Sequence, residues 1–396
     1  LLTSLLIELK PYPANGWGLD VYETAPASVA AMISVGVSAG VLFALYKVLP
    51  LFSDFLTSIA VVGGITFLVS NVIGLRQDNV KRLLGYSSIG QVGLLAMALA
   101  LLQQDGQHAY LAMIVGGLFL NHLLAKAGLF WLAGVVQRER ITAWSALAGK
   151  PWVLLVFGVL LAALIGLPPV PGFWAQWGLV LELAADSRYG WIALILVGSL
   201  LEAAYLFRWF GHALRADESA AVPVNAAALM PSALAAVLLT VSGYFTARHA
   251  GVVPLQLFLP LYAAAAMFLL DALPGRIKSL LMLAVVAAGG AWVAGDLEGL
   301  NRIFALILVA GGVLMAAATL YRDDARKGFF PLMTGLLLSL ATLLTARTSL
   351  EFFFSWELMT LSSYLLVTLG RDAVKPALLY LLFSLGSAFL ILAGFA

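Results

Sequence analysis

The sequence predicts an all-α fold: a polytopic transmembrane helix bundle of about thirteen spans, some of them broken helices. Three observations predict it. Of 396 residues, 62% are hydrophobic and only 11% charged, and the mean hydropathy is +1.01. A globular chain is roughly 25% charged, so this one lacks the polar residues that cover a water-facing exterior. Its apolar residues fall in continuous runs of about 20, the length of a membrane-crossing helix. They do not follow the ten-residue alternation of a membrane barrel. Third, the basic residues alternate from one connection to the next. Composition alone excludes a soluble enzyme, a disordered chain and a nucleic-acid binder. The net charge of +2 says nothing about partners.

The spans run at about 25–49, 55–75, 83–103, 109–136, 151–185, 190–213, 226–245, 252–271, 278–295, 302–321, 328–346, 350–369 and 373–396, each near the ~20-residue minimum or longer. The fifth is too long for one plain span. It contains Gly166-Leu167-Pro168-Pro169-Val170-Pro171-Gly172 and must break there, because an interior proline costs ~3 kcal/mol. In lipid the freed carbonyls need other partners, so the break must pack against protein or line a wet cavity. Odd-numbered connections carry five basic residues: Lys47, Arg188, Arg248, Arg302 and Arg347. Even-numbered ones carry fifteen, including Arg76, Lys81, Arg82, Arg138, Arg140, Lys150, Arg208 and Arg215. This bias puts the even connections in the cytoplasm. Seams are expected at Arg215–Val224 and at Arg248–Gly251, and a charged cytoplasmic turn at Tyr321–Lys327. The chain opens on Leu1-Leu2 and ends inside an apolar run, which reads as a fragment.

A charge at mid-membrane costs ~2.5–3.5 kcal/mol on insertion scales, so residues that persist there are functional candidates. Lys126 is central in its span, with Asn121 and His122 close before it. His122 and Lys126, four apart, share a helix face, as a proton relay needs. The bland alternative is a lysine bonded to backbone at a helix break. Glu202 sits mid-span in Ser199-Leu200-Leu201-Glu202, with Arg208 near the span's end. It is either a relay or a neutral group bonded to a neighbouring helix. Glu357 lies among Phe352, Phe353, Phe354 and Trp356, where an ionised carboxylate needs a proton or a lysine partner. Glu351 marks that helix's start, and Lys375 reads as an anchor. Glu182 falls near an end. Lys81 and Arg82 open their span and read on bare sequence as snorkelling anchors. His108, His212 and His249 are terminal or in loops. The absence of cysteine removes Cys-ligated iron–sulfur clusters, disulfides and Cys zinc sites. No cofactor and no metal are expected.

The stretch Gln77-Asp78-Asn79-Val80-Lys81-Arg82-Leu83-Leu84-Gly85-Tyr86-Ser87-Ser88-Ile89 resembles the antiporter-like membrane subunits of respiratory complex I (NADH–quinone oxidoreductase), membrane-bound hydrogenases and multi-subunit Na+/H+ antiporters. Further matches follow in order. Asp20–Pro26 is similar to the entry of that family's first broken helix, and His122 with Lys126 to its His-x-x-x-Lys helix. Leu167–Phe173 is similar to its Pro-Pro break, and Glu202, Tyr205 and Arg208 to the helix after it. Phe354–Leu366 resembles an early helix that carries the family's glutamate, yet here it comes last. The resemblance therefore implies the later part of one antiporter-like module over 1–250 and the opening helices of a second over 251–396. Three departures stand out: Ser38 and Ala39 replace an expected lysine, Gln91 an expected histidine, and Gln176 another lysine.

The resemblance implies a proton- or cation-translocating subunit with a relay of Lys126, His122, Glu202, Glu357 and Lys81. Its partners would be other membrane and redox subunits of a respiratory complex, with the lipid bilayer around it. The expected location is a bacterial cytoplasmic membrane. It further implies that the lysine partner of Glu357 stands beyond Ala396. Two other readings stay open: a stand-alone secondary antiporter, which would also use broken helices and midplane carboxylates, and a non-transporting scaffold.

Overall fold

The computed structural model describes residues 1–104, 108–147, 149–215, 224–249, 257–295, 299–320, 327–370 and 373–395. Most of the Arg215–Val224 seam, the Ala250–Gly251 end of the second seam and most of the Tyr321–Lys327 turn lie outside them. The chain divides into two compact units, 1–250 and 251–395. Both are all-α among the described residues, and seven helices are long and apolar enough to cross a membrane. The protein is an integral membrane protein.

The first unit opens with two short helices that hydropathy did not foresee, α1 (Leu2–Glu8) and α2 (Gly16–Thr24). Proline disfavours helical geometry in the residue before it, and Ala25 is accordingly extended, ending α2 ahead of Pro26. The next span is α3 (Ala27–Met32), a π-helical turn (Ile33–Val37) and α4 (Ser38–Val48). Then come α5 (Leu56–Gly74), α6 (Val80–Gln104) and α7 (His108–Val136). The long fifth span breaks as expected. α8 (Pro151–Ile165) stops at Gly166, whose φ of 79° is left-handed, and α9 (Pro171–Ala185) restarts with proline in its first turn. A proline there is harmless because that N–H has no helical partner anyway. α10 (Tyr189–Ala213) and α11 (Ala226–His249) close the unit.

The carbonyls freed by the break find partners. Asn121 Nδ2 donates to Ala163 O at 2.6 Å, Gln91 Nε2 to Leu164 O at 3.3 Å and Trp174 Nε1 to Pro169 O at 3.2 Å. Side chains from α6 and α7 thus cap the end of α8, as a helix end away from water requires. The earlier break at Ala25–Pro26 is capped likewise, by Lys81 Nζ on Ala25 O at 2.8 Å. A cation at a helix C-terminus also meets the negative end of the dipole.

Two even-numbered connections and the end of α10 meet at one end of this unit. Val80 N donates to Glu139 O at 2.7 Å and Ile141 N to Asp78 O at 2.9 Å. Arg208, near the end of α10, donates to Leu75 O at 2.8 Å and Gln77 O at 2.5 Å. Trp209 packs edge to face on Trp144 and Phe157, which lie tilted against each other.

Helices α5 and α6 touch backbone to backbone. A Cβ on Gly93 would lie 2.7 Å from Gly63 O, and one on Gly63 would lie 2.6 Å from Gly93 O. Gly93→Ala is therefore expected to destabilise the subunit by about 1–3 kcal/mol, the usual cost of overpacking. Gly116→Ala is the control: nothing lies within 4 Å of that site, and exchanging a helical glycine for alanine gains roughly 0.5–1 kcal/mol. Thermal melting in detergent should lower the midpoint for the first and hold or raise it for the second.

The second unit contains α12 (Leu259–Leu269), α13 (Gly275–Gly295), α14 (Gly299–Thr319), α15 (Phe329–Thr345), α16 (Ser349–Thr368) and α17 (Val374–Phe395). Met267, Met282, Val286, Ala316, Phe330, Met333 and Leu337 form its core. Lys278 pairs with Asp271 at 2.9 Å, and Asp271 Oδ2 also accepts from Gly328 N at 3.1 Å. Thr348 and Glu351 make a reciprocal capping box at the start of α16, which accounts for Glu351.

Candidate functional site: a buried amine–hydroxyl–carboxylate chain

Three helices of the first unit bring one amine, one hydroxyl and one carboxylate together. Lys126 Nζ donates to Ser87 Oγ at 2.5 Å and to Leu84 O at 3.3 Å. Ser87 Oγ donates in turn to Glu202 Oε1. A single hydroxyl thus separates the ammonium group from the carboxylate. Lys126 and Ser87 have no exposed surface and Glu202 has 1%. Gln91 Nε2 reaches Glu202 Oε2 at 2.5 Å, and Tyr205 OH lies 3.4 Å from Oε1.

The local sequence explains the meeting. Ser87 and Gln91 are four apart on α6, so one face of that helix presents both. Glu202 and Tyr205 are three apart on α10 and share a face in the same way. Gly74 lets α10 come close, since a Cβ there would lie 2.8 Å from the Tyr205 ring. Buried charges persist only when paired and fully hydrogen-bonded, and this set supplies both conditions. A proton can change its place along the chain without any group leaving its partners.

His122 stands one turn before Lys126 on α7, 1% exposed, and neither ring nitrogen has a partner among the described residues. Ser34, from the π-helical turn, and Ser88 share a hydrogen bond of 2.7 Å, and the Tyr22 hydroxyl faces Ser34, Ser38 and Ser88. The departures noted in the sequence all have work. Ser38 bonds Ile33 O at 3.4 Å, Gln176 bonds Ser199 at 2.9 Å, and Gln91 holds both Glu202 and the α8 end.

The other candidate residues lie elsewhere. Lys81 bonds Ala25 O rather than the Lys126 chain. Arg82 pairs with Glu23 at 2.7 Å and Asp20 at 3.1 Å. Glu182 is half-buried near the end of α9. Glu357 belongs to the second unit, 2% exposed, and neither carboxylate oxygen has a partner among the described residues. Outside the spans, Lys10 is buried between the rings of Trp17 and Tyr22, at 5.2 and 5.9 Å. Burial pushes its amine below the ordinary lysine value, with Glu8 opposing. Among the described residues, no group of three or more His, Asp or Glu side chains could hold a metal ion.

Sequence reasoning missed the roles of Ser87 and Asn71. Ser87 stood inside the quoted motif, four residues before the noted Gln91. Asn71 is a lone amide in an apolar span, and the membrane cost that singled out Lys126 could have found it.

Broken apolar helices around a buried amine–carboxylate chain define a polytopic membrane protein with a polar site in its interior. Residues 1–202 match the NADH:quinone oxidoreductase/Mrp antiporter transmembrane family, and the chain belongs to that family. It is 30% identical over 220 residues to NADH-quinone oxidoreductase subunit N of Desulforudis audaxviator, covering 52% of this chain and 43% of that protein. It is similar in structure to a chain of respiratory complex I from Thermus thermophilus, with a TM-score of 0.52 and 29% identity over 61% of this chain and 55% of that one. A chain of the archaeal membrane-bound sulfane sulfur reductase gives a TM-score of 0.56 and 28% identity, over 62% and 52% of the two chains. The chain spans about half the length of these relatives.

Proposed function

We propose that this chain is a proton-translocating membrane subunit of a respiratory complex of the complex I or hydrogenase type. One observation carries the reading: a fully buried amine and carboxylate joined through the Ser87 hydroxyl, in a fold whose relatives are respiratory subunits. Lys126 and Glu202 hold the proton, Ser87 passes it and His122 extends the relay, while Glu357 is the proton-holding group of the second unit. Lys81 acts at the edge, capping the first broken helix. Redox chemistry occurs in partner subunits. A charge shift there reaches this chain by Coulomb coupling, which is strong at low dielectric.

Residues 1–250 are the later part of one antiporter-like module, and 251–396 the opening helices of a second. The family match within the first unit and the division at residue 250 support this reading. The even connections face the cytoplasm of a bacterial inner membrane. Their threefold excess of Lys and Arg supports that side, as does the meeting of two of them at one end of the first unit. Cysteines introduced at Arg140 and Lys327 should label from the same side of the membrane. Labelling from opposite sides would overturn the orientation.

The functional reading is tested by reconstitution. The assembled complex in liposomes should move protons when electrons flow, and the isolated subunit should exchange no ions. Ion exchange by the isolated subunit would point to a stand-alone antiporter, and a complex that transfers electrons without moving protons would leave a scaffold.

A further inference from the structure

We infer that Tyr205 and Asn71 form a proton branch that joins Glu202 to the end of the bundle carrying residues 75–79. The inference rests on the proton-translocating reading above and adds a route that the Lys126 chain does not contain.

The Tyr205 hydroxyl stands between two acceptors. It donates to Asn71 Oδ1 at 2.8 Å and lies 3.4 Å from Glu202 Oε1. Both Tyr205 and Asn71 are fully buried. Asn71 Nδ2 and Arg208 Nε are buried donors with no partner among the described residues. A buried donor left unpaired is destabilising, so such groups take water where there is room. Glu202, Tyr205 and Arg208 follow one another at three-residue spacing, which keeps them on one face of α10. The file then reaches solvent: Arg208 holds Leu75 O and Gln77 O and lies 3.6 Å from Asp78, with side chains 29% and 70% exposed. The Lys126 amine itself bonds only inward, to Ser87 and Leu84 O, among the described residues.

The step conserves protons and charge. The Tyr205 hydroxyl turns from Asn71 to Glu202 and gives its proton to the carboxylate. At the same time its oxygen takes a proton from a hydronium ion that donates to Asn71 Oδ1, the acceptor the hydroxyl has just left. Tyr205 ends as a neutral phenol, Glu202 as a carboxylic acid and the hydronium as water. Asn71 binds and orients and is not itself a carrier. Release in the other direction reverses these moves.

A filler role for Tyr205 against Gly74 is the competing explanation, and Tyr205→Phe separates the two, since it keeps the ring and removes only the hydroxyl. In the complex reconstituted into liposomes, Y205F should slow electron-driven proton translocation about tenfold or more, within the range of a lost proton-transfer group. Assembly and electron transfer in the presence of an ionophore should stay at wild-type values. Asn71→Leu should give the same slowing, and the double variant should be no slower than the slower single, because two members of one path do not add. Should N71L fail to assemble, Y205F decides alone. Wild-type translocation by Y205F would overturn the branch, as would a slowing that disappears once rates are normalised to assembled complex. Failure of the parent reading looks different: there the wild-type complex moves no protons, or Lys126→Ala moves them normally.

Discussion

Lys126→Ala is expected to abolish electron-driven proton movement while the complex still assembles. Lys126 is the only amine in the buried chain, and its Nζ binds Ser87 and Leu84 O. Without it, a proton on Glu202 has no basic group to move to. Removing this partner of the pair is also destabilising, but Glu202 keeps donors from three side chains, Ser87, Gln91 and Tyr205, so the complex assembles in reduced amount and proton movement is scored per assembled complex. A small side chain at 126 also leaves His122 and the Asn121 cap of the broken helix in place, since both stand on the preceding turn of α7. Proton uptake and electron transfer measured on the same vesicles check the result. Normal proton movement at normal assembly would return Lys126 to a packing role.

The reverse substitution should be costlier to the fold. Glu202→Gln removes the only carboxylate near Lys126 and leaves a buried ammonium with a hydroxyl and one carbonyl. Breaking a buried ion pair by removing one partner costs about 3–5 kcal/mol, whereas replacing both partners with neutral groups is often harmless. E202Q should therefore assemble poorly. The double variant K126M/E202Q should recover assembly and still move no protons. Assembled complex recovered from membranes and quantified by native gel reports the first effect, and vesicle acidification the second. Full assembly of E202Q would mean that Lys126 and Glu202 are not a charge pair.

Much of this was legible in the sequence, for physical reasons that differ from residue to residue. The spans were readable because lipid demands long apolar runs. The break at Pro168–Pro171 was readable because proline cannot continue a helix in either solvent. Lys126, His122, Glu202 and Glu357 stood out because the membrane penalises them, and a penalty leaves a visible exception in an apolar string. The capping of that break by Asn121 and Gln91 was not readable, since it depends on which helices become neighbours. Ser87 was invisible for a related reason. A serine costs little in a helix interior, so only its position between Lys126 and Glu202 gives it weight. The helices Leu2–Glu8 and Gly16–Thr24 are too short for a periodic signal, and the π-helical turn at Ile33–Val37 leaves no mark in hydropathy. Lys81 was read from its motif as a relay group, and its bond to Ala25 O at the end of a helix leaves no mark in hydropathy.

The central claim is that Lys126 and Glu202 act as one proton-holding unit through Ser87. It is tested most directly by the number of protons translocated per electron in K126A, E202Q and the K126M/E202Q double variant, each normalised to assembled complex. The account predicts that all three fall to one common floor, because removing either end of a single path leaves nothing for the other to lose. A wild-type ratio in any of them, or a double variant whose loss is the sum of two partial losses, would contradict it.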